Sequence, residues 1–591
     1  MTIQSGTEPP APAPAPAGRL RRSLRLEAHL TEAHQSQAQV LLTGSGVNDF
    51  FITRAEHSRR LTAFLHSYCE DEKIGYVRYS MAEGVSSYRT LPGDQAVAVR
   101  STDADMHPAQ AVRQVLADLQ AGGTPAMFAF DYADGVLGPS PDQLNLQMSL
   151  LCEQLQTLTA NTGWHKAGLR LVMIDRGGGI TPRLAGQPGI RTIHIGPPEQ
   201  AELTIFARRA AHAAATAPLY LDASLSEEET GRRARGLLNL HLHEMRLASS
   251  RERPVTSQQI ADLKATAIRD TSGGTLELMP SRVTFSQDVA GLPAVRLALD
   301  DAQRANRTTL RILLAGPPGT GKTLAATAIA AALNVPAVRY GEILNEYVGV
   351  AERNMVRANQ ILRAMAPLVL FIDEADQVGL GARGNMARSS EVHQNLRASL
   401  FEFLGDTGEQ TGITVVATTN VPMQLDDAAL SRFIVLPVLF ASAAELVQIM
   451  TIHARRLGIV LEGDLARVMS GYTAAGGVLS GRSAVQLLEA AHVLALRASS
   501  PVVSAQHVRG ALDGWIGSDW TPAAEYSTLS SLLSARHADA WPWVAASRLG
   551  EGYELPAYLL PYRTGTGEVD VGQMRKRLAE LGAGHTFSGH G

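Results

Sequence analysis

Residues 312–333 read ILLAGPPGTGKTLAATAIAAAL. An apolar run leads into Gly316, Pro317, Pro318, Gly319, Thr320, Gly321, Lys322 and Thr323, and a stretch of strong helix formers follows. This is G-x-x-x-x-G-K-T in the strand–loop–helix context that phosphate binding requires. Glycines let the backbone wrap a phosphate and aim N–H groups at it, and the new helix adds its positive end. Lys322 is expected to reach the β- and γ-phosphates, with the Thr323 hydroxyl helping to hold Mg²⁺. Fifty residues on, LVLFIDE at 368–374 is an apolar strand ending in two carboxylates. Ligands of an open α/β sheet sit at that end of the strands. Asp373 is placed to hold Mg²⁺ through water, and Glu374 to orient and deprotonate an attacking water. A third strand, ITVVAT at 413–418, ends in Thr419-Asn420, a polar tip able to touch a γ-phosphate or a lytic water. Arg432 follows in LDDAALSRF, and Arg482 opens a later helix in LSGRSAVQLLEAA.

The elements that must carry these residues form an α/β pattern from near Phe285 to about 440, turning helical over 441–498. An earlier α/β pattern fills about 37–220. Its strand-length apolar runs lie at 74–79, 126–130, 169–174 and 190–195, with amphipathic stretches near 55–70, 108–120 and 142–158. Such alternation predicts mostly parallel sheets. Residues 225–249 and 255–267 read as helical. The expected boundaries are a Pro/Ala-rich tail at 1–36, an α/β domain at 37–254, and a linker and lead-in at 255–300. A large nucleotide-binding subdomain at 301–440, a helical lid at 441–500 and an extension at 501–591 complete the chain. The end of the chain, 515–591, holds four of the five tryptophans and reads as a small appended domain or a docking element.

Composition narrows the classes. A chain of 591 residues, 45% hydrophobic, exceeds one core and is too apolar to be disordered. The net charge of −4, without a basic run, argues against nucleic acid. No apolar run reaches membrane-spanning length and no signal-type stretch opens the chain, so a cytoplasmic protein without membrane contact is expected. Two cysteines make no disulfide framework. Only five of the 53 basic residues are lysines, which makes Lys322 the more conspicuous. His241 and His243 lie two apart on a helix, on different faces, and so do not share an ion readily.

GPPGTGKT, LFIDEAD, ATTN and the later arginines, in this order over roughly 280–498, resemble an AAA+ ATPase. The resemblance implies a P-loop α/β core with a helical lid, using ATP and Mg²⁺. Lys322 and Thr323 match the Walker A pair, Asp373 and Glu374 the Walker B pair, and Asn420 the sensor-1 position. Arg432 matches the second of two arginines that reach the neighbouring subunit's γ-phosphate; the first position is Ser431 here, which shifts weight to Arg432. Arg482 resembles a sensor-2 arginine. Tyr347 and Val348, in NEYVG, resemble a pore loop gripping an extended chain, the alternative being an ordinary packed tyrosine. The Gly/Ser-rich stretch 379–390 is a candidate second pore loop or a plain flexible loop. Residues 126–134 resemble a Walker B strand lacking its Glu, and 169–175 a sensor-1 strand, so 37–250 reads as a degenerate AAA+-like domain binding no ATP, of the kind in two-domain AAA+ ATPases of cyanobacteria and plastid genomes. The alternative is an unrelated α/β adaptor. The resemblance implies an ATP-hydrolysing ring, expected as a homo-hexamer, that remodels a protein substrate. The alternative function is a nucleotide-controlled switch or assembly scaffold with slow turnover.

Overall fold

The computed structural model describes residues 22–93, 95–103, 105–138, 145–213, 218–279, 283–305, 307, 309–341, 348–376, 404, 412–564 and 569–585. The chain divides into two compact units, Met1–Thr256 and Ser257–Gly591. Each is an α/β layer structure around its own parallel sheet, as the strand–helix alternation predicts.

In the first unit the strands are β1 (Gln39–Thr43), β2 (Phe50–Ile52), β3 (Ser58–Arg60), β4 (Gly75–Ser80), β5 (Gly84–Leu91), β6 (Gln95–Ala96), β7 (Ala126–Phe130), β8 (Arg170–Ile174) and β9 (Ile190–His194). Seven of them form one sheet, ordered β6-β5-β4-β7-β8-β1-β9. The run from β4 to β9 is parallel throughout, and β5 and β6 extend it as an antiparallel edge. Both faces are covered: Leu171 and Met173 of β8 enter one core, Val172 and Ile174 the other. Residues 22–35, expected from composition to be part of a tail, are instead the helix Arg22–Gln35. Leu26, Leu30 and Ala33 recur at helical spacing and are buried against β1 and β8 residues, so this segment belongs to the core. The helical stretch expected over 225–249 is two helices, Glu227–Arg233 and Asn239–Ala248, parted at Gly236, whose φ is +84°.

The second unit contains β10 (Leu276–Leu278), β11 (Arg311–Ala315), β12 (Ala337–Tyr340), β13 (Leu368–Ile372), β14 (Ile413–Thr419) and β15 (Ile434–Pro437). They are ordered β10-β12-β13-β14-β11-β15 and are parallel except for β10. Leu313 and Ala315 of β11 face one core and Ile312 and Leu314 the other. Numbered along each chain segment, the five parallel strands of both units have the same order, 5-1-4-3-2. The registers match as well: Leu42 pairs with Ile174 as Leu314 pairs with Thr418. Two residues later the correspondence reaches the loops. A Cβ on Gly316 would overlap the Val438 carbonyl, and one on Gly44 would come within 2.7 Å of the Ile195 carbonyl.

The lid comprises the helices Ala443–Leu457, Leu465–Ala474, Gly481–Arg497 and Ala505–Asp513. Val503, Val508 and Ala511 belong to its core, so it extends past the expected boundary at 500. The segment beyond it is not detached. Its helices Pro522–Ser534, Pro542–Arg548 and Val571–His585 pack on the same unit, with Ala540 and Ala545 entering the core of the β11 sheet face. Among the described residues, no helix is long and apolar enough to cross a membrane.

Candidate functional site

The loop 316–321 leaves the C-terminal end of β11 and turns directly into the helix Lys322–Leu333. Gly319 and Gly321 take φ values of +79° and +90°, which L side chains rarely adopt. The helix begins without a side-chain cap, which leaves its first-turn N–H groups available to an anion. Gly319 is also a point of close approach, since a Cβ there would sit 3.0 Å from Ser480 Oγ and 3.6 Å from Arg482 Cβ.

A cavity of about 400 Å³ opens at this loop. Pro318, Gly319, Gly321, Lys322, Thr323, Asp373, Glu374, Asn420 and Arg482 all line it, together with Leu324, Thr418 and Thr419. Residues from four separate stretches of sequence therefore converge on one space. Lys322 Nζ donates to the carbonyls of Gly316 and Pro317, both at 2.7 Å, and to Asn420 Oδ1 at 2.9 Å. Thr320 Oγ1 braces the loop by donating to the Pro317 carbonyl at 2.9 Å. Burial pushes the Lys322 ammonium down to about 8, against the opposing pull of Asp373, Asp376 and Glu374. Thr323, Asp373 and Glu374 are exposed to the cavity's opening.

The Thr418 hydroxyl is the hub on the strand side. It donates to Asp373 Oδ1 and accepts the Glu374 N–H at 3.1 Å. Glu374 itself has φ +46°, a left-handed backbone at a non-glycine residue, of the kind that persists where surrounding bonds fix it. Thr419 Oγ1 donates to Asp376 Oδ1 at 2.8 Å. Sequence reasoning missed these partners. The available signal was the switch from Val415-Val416 to Thr418-Thr419 at the end of an otherwise apolar, wholly buried strand.

A triphosphate with a divalent cation fits this donor set. Gly319 and Gly321 hold backbone angles that side chains rarely adopt, with open space around Gly321; the Lys322 ammonium donates to two loop carbonyls and an amide oxygen, and exposed oxygens stand beside it. Arg482 reaches the cavity from the helix Gly481–Arg497, and its backbone N–H donates to the Gly319 carbonyl at 3.3 Å. Arg432 does not line the cavity. It follows the helix Asp427–Leu430, and its guanidinium donates to the Ala428 carbonyl at 2.5 Å. Tyr347 and the stretch 379–390 lie outside the described residues, as does the side chain of Val348, whose backbone starts the helix Val348–Met365.

The corresponding place in the first unit is built differently. Register puts Asp131 where Asp373 stands and Arg176 where Asn420 stands. Asp131 is fully buried. It accepts Arg176 Nε at 2.7 Å on one oxygen and Arg78 Nη2 at 2.9 Å on the other. Arg176 Nη1 also donates to the Val47 carbonyl at 2.9 Å, so the guanidinium spans from β7 to the loop after β1. Asp49, on that loop, accepts the N–H groups of Asn239 and Leu240 at 3.1 and 2.7 Å and Arg22 Nη2 at 2.8 Å. His241 Nδ1 accepts the Leu238 N–H at 3.0 Å, a capping role. Among the described residues, no group of three or more His, Cys, Asp or Glu is arranged to hold a metal ion.

Residues 312–437 match the family described as ATPase family associated with various cellular activities (AAA). The chain is 35% identical over 256 residues to ATP-dependent zinc metalloprotease FtsH 3 of Synechocystis, covering 39% of this chain and 40% of that protein. It is 38% identical over 159 residues to peroxisomal ATPase PEX6 of Saccharomyces cerevisiae, covering 26% and 15%. It is 35% identical over 218 residues to the mouse mitochondrial inner membrane m-AAA protease component AFG3L2, covering 35% and 26%. The chain thus spans two fifths or less of the length of each of these relatives.

Proposed function

We propose that the second unit, whose residues 312–437 match the AAA family, is an AAA+ ATPase module that hydrolyses ATP and uses the cycle to remodel a protein. The observation that carries this is the convergence of Lys322, Asp373, Glu374, Asn420 and Arg482 on one cavity. Lys322 exchanges its carbonyl partners for phosphate oxygens, keeping a compact ammonium at the site of greatest negative charge. Thr323 and Asp373 would hold a Mg²⁺ ion, which would supply charge neutralisation on the phosphates. Glu374 accepts the proton of the attacking water, with Asn420 orienting that water or the terminal phosphate. Arg482 brings the lid against the phosphates.

Arg432, standing outside the cavity of its own chain, serves a neighbouring copy in a homo-oligomeric ring, for which a hexamer is the expected closure. Tyr347 and Val348 then fall to gripping the substrate chain. Names such as FtsH, AFG3L2 and PEX6 belong to proteins of which this chain matches only a part, and they support remodelling only at the level of class. The first unit serves as a degenerate partner. The Arg176–Asp131 pair, set by register at the positions of Asn420 and Asp373, supports a first unit that takes no ATP.

Two substitutions in the full chain test the reading. Lys322→Ala should weaken ATP binding about 100-fold or more, the worth of a few charge-assisted hydrogen bonds. Glu374→Gln should keep ATP bound while cutting turnover by roughly 10²- to 10⁴-fold. Nucleotide titration and phosphate release separate the two. A Glu374→Gln chain that turns over at the wild-type rate would remove the proposed base, and a Lys322→Ala chain with unchanged affinity would remove the proposed site.

A further inference from the structure

The helix Pro522–Ser534 lies outside the stretch matched to the family, yet one of its buried polar side chains meets the candidate site. Ser527, Thr528, Ser530 and Ser531 are all buried. Thr528 donates to the Ala524 carbonyl at 2.8 Å, and Ser530 and Ser531 to the Ser527 carbonyl at 3.0 and 2.7 Å, so these three satisfy their own helix. Ser527 instead turns outward, and its hydroxyl donates to the backbone carbonyl of Asn420. The Asn420 side chain is in turn the acceptor for Lys322 Nζ. A continuous path therefore runs from the helix to Asn420 and on to Lys322.

The same segment is fixed to the other wall of the cavity. Asp519 Oδ2 accepts the Ser480 N–H at 2.5 Å, at the start of the helix that carries Arg482. Tyr558 Oη donates to the Phe440 carbonyl at 3.1 Å, between β15 and the first lid helix, and its ring stacks on Trp520 at 4.5 Å. The helix has little freedom of its own. Glu525 takes a bidentate pair from Arg577 at 3.0 Å on each oxygen and the Tyr562 hydroxyl at 2.7 Å.

We propose that Ser527 is a positioning residue for the ATP site, holding the Asn420 backbone so that its side chain stays aligned beside Lys322. The helix Pro522–Ser534 thereby acts as part of the site's wall rather than as a separate domain. This rests on the ATPase reading, and the test separates the two. In the full chain, Ser527→Ala should lower kcat about 5-fold, the rate equivalent of one lost hydrogen bond, with ATP affinity held within about 2-fold. Ser527→Thr, which keeps the hydroxyl, should recover most of that rate. A Ser527→Ala chain that melts earlier but keeps the wild-type kcat overturns the proposal, as does one whose loss lies wholly in affinity. If Ser527→Ala does not fold, amide exchange in the wild-type chain decides: ATP with Mg²⁺ should slow exchange over 522–534, and unchanged exchange overturns the proposal. A wild-type chain that neither binds nor hydrolyses ATP instead defeats the ATPase reading itself.

Discussion

Lys322 carries a pH dependence that arises from its burial. Its ammonium loses a proton near pH 8 in the free site, well below the usual lysine range. Phosphate oxygens favour the charged form, so above that pH the complex binds more protons than the free protein and affinity falls as pH rises. ATP affinity should be nearly flat from pH 6.5 to 7.5 and then approach a tenfold loss per unit above about pH 8.5. Calorimetry in buffers of different ionisation enthalpy should show up to about one proton taken up per nucleotide there. Affinity that stays level to pH 10 would contradict the lowering of the Lys322 ammonium by burial in the free site. At this scale the sequence is most legible where spacing alone defines a site, as in Gly316–Thr323 and Asp373-Glu374. It is silent on Thr418 and Arg176, because their partners are set by strand register between segments some 45 residues apart in sequence. Each looks unremarkable in its own stretch.

Among the elements, the strands of the first unit at 126–130, 169–174 and 190–195 are readable from apolar runs of the right length. Strand β1 does not stand out, being a five-residue run between polar neighbours. The helix Arg22–Gln35 is hidden because the Pro/Ala run before it dominates the local composition, although Leu26, Leu30 and Ala33 carry the helical spacing. Arg22 has a larger structural part than its position suggests. Its guanidinium donates to Asp49 at 2.8 Å and Glu202 at 3.0 Å and lies 4.5 Å from the centre of the Phe51 ring. Asp49 also caps the helix Asn239–Ala248, tying that helix to the loop after β1. Asp49→Ala removes the cap and leaves Arg22 short of a buried counter-charge, a change that costs about 3–5 kcal/mol. Denaturant unfolding should show the first unit melting at lower denaturant in this variant while the second keeps its midpoint. Equal stability would mean that the network is not what holds the helix in place.

At the scale of the whole molecule, two units repeat one strand order and one register, and only one keeps the glycine cradle and its lysine. Strand order lies beyond local pattern, since it depends on which of several parallel strands become neighbours; the repeat surfaces in the sequence only as weak likenesses at 126–134 and 169–175. The proposed division of labour leaves one hydrolytic site per chain, completed by Arg432 of another copy. The most direct test is the steady-state rate of ATP hydrolysis per chain, with Mg²⁺, across a wide range of protein concentration, alongside the Glu374→Gln variant. The account predicts a specific rate that climbs with concentration to a plateau in the wild-type chain and stays near background in the variant. Absence of hydrolysis at every concentration, or a variant as fast as the wild type, would contradict it.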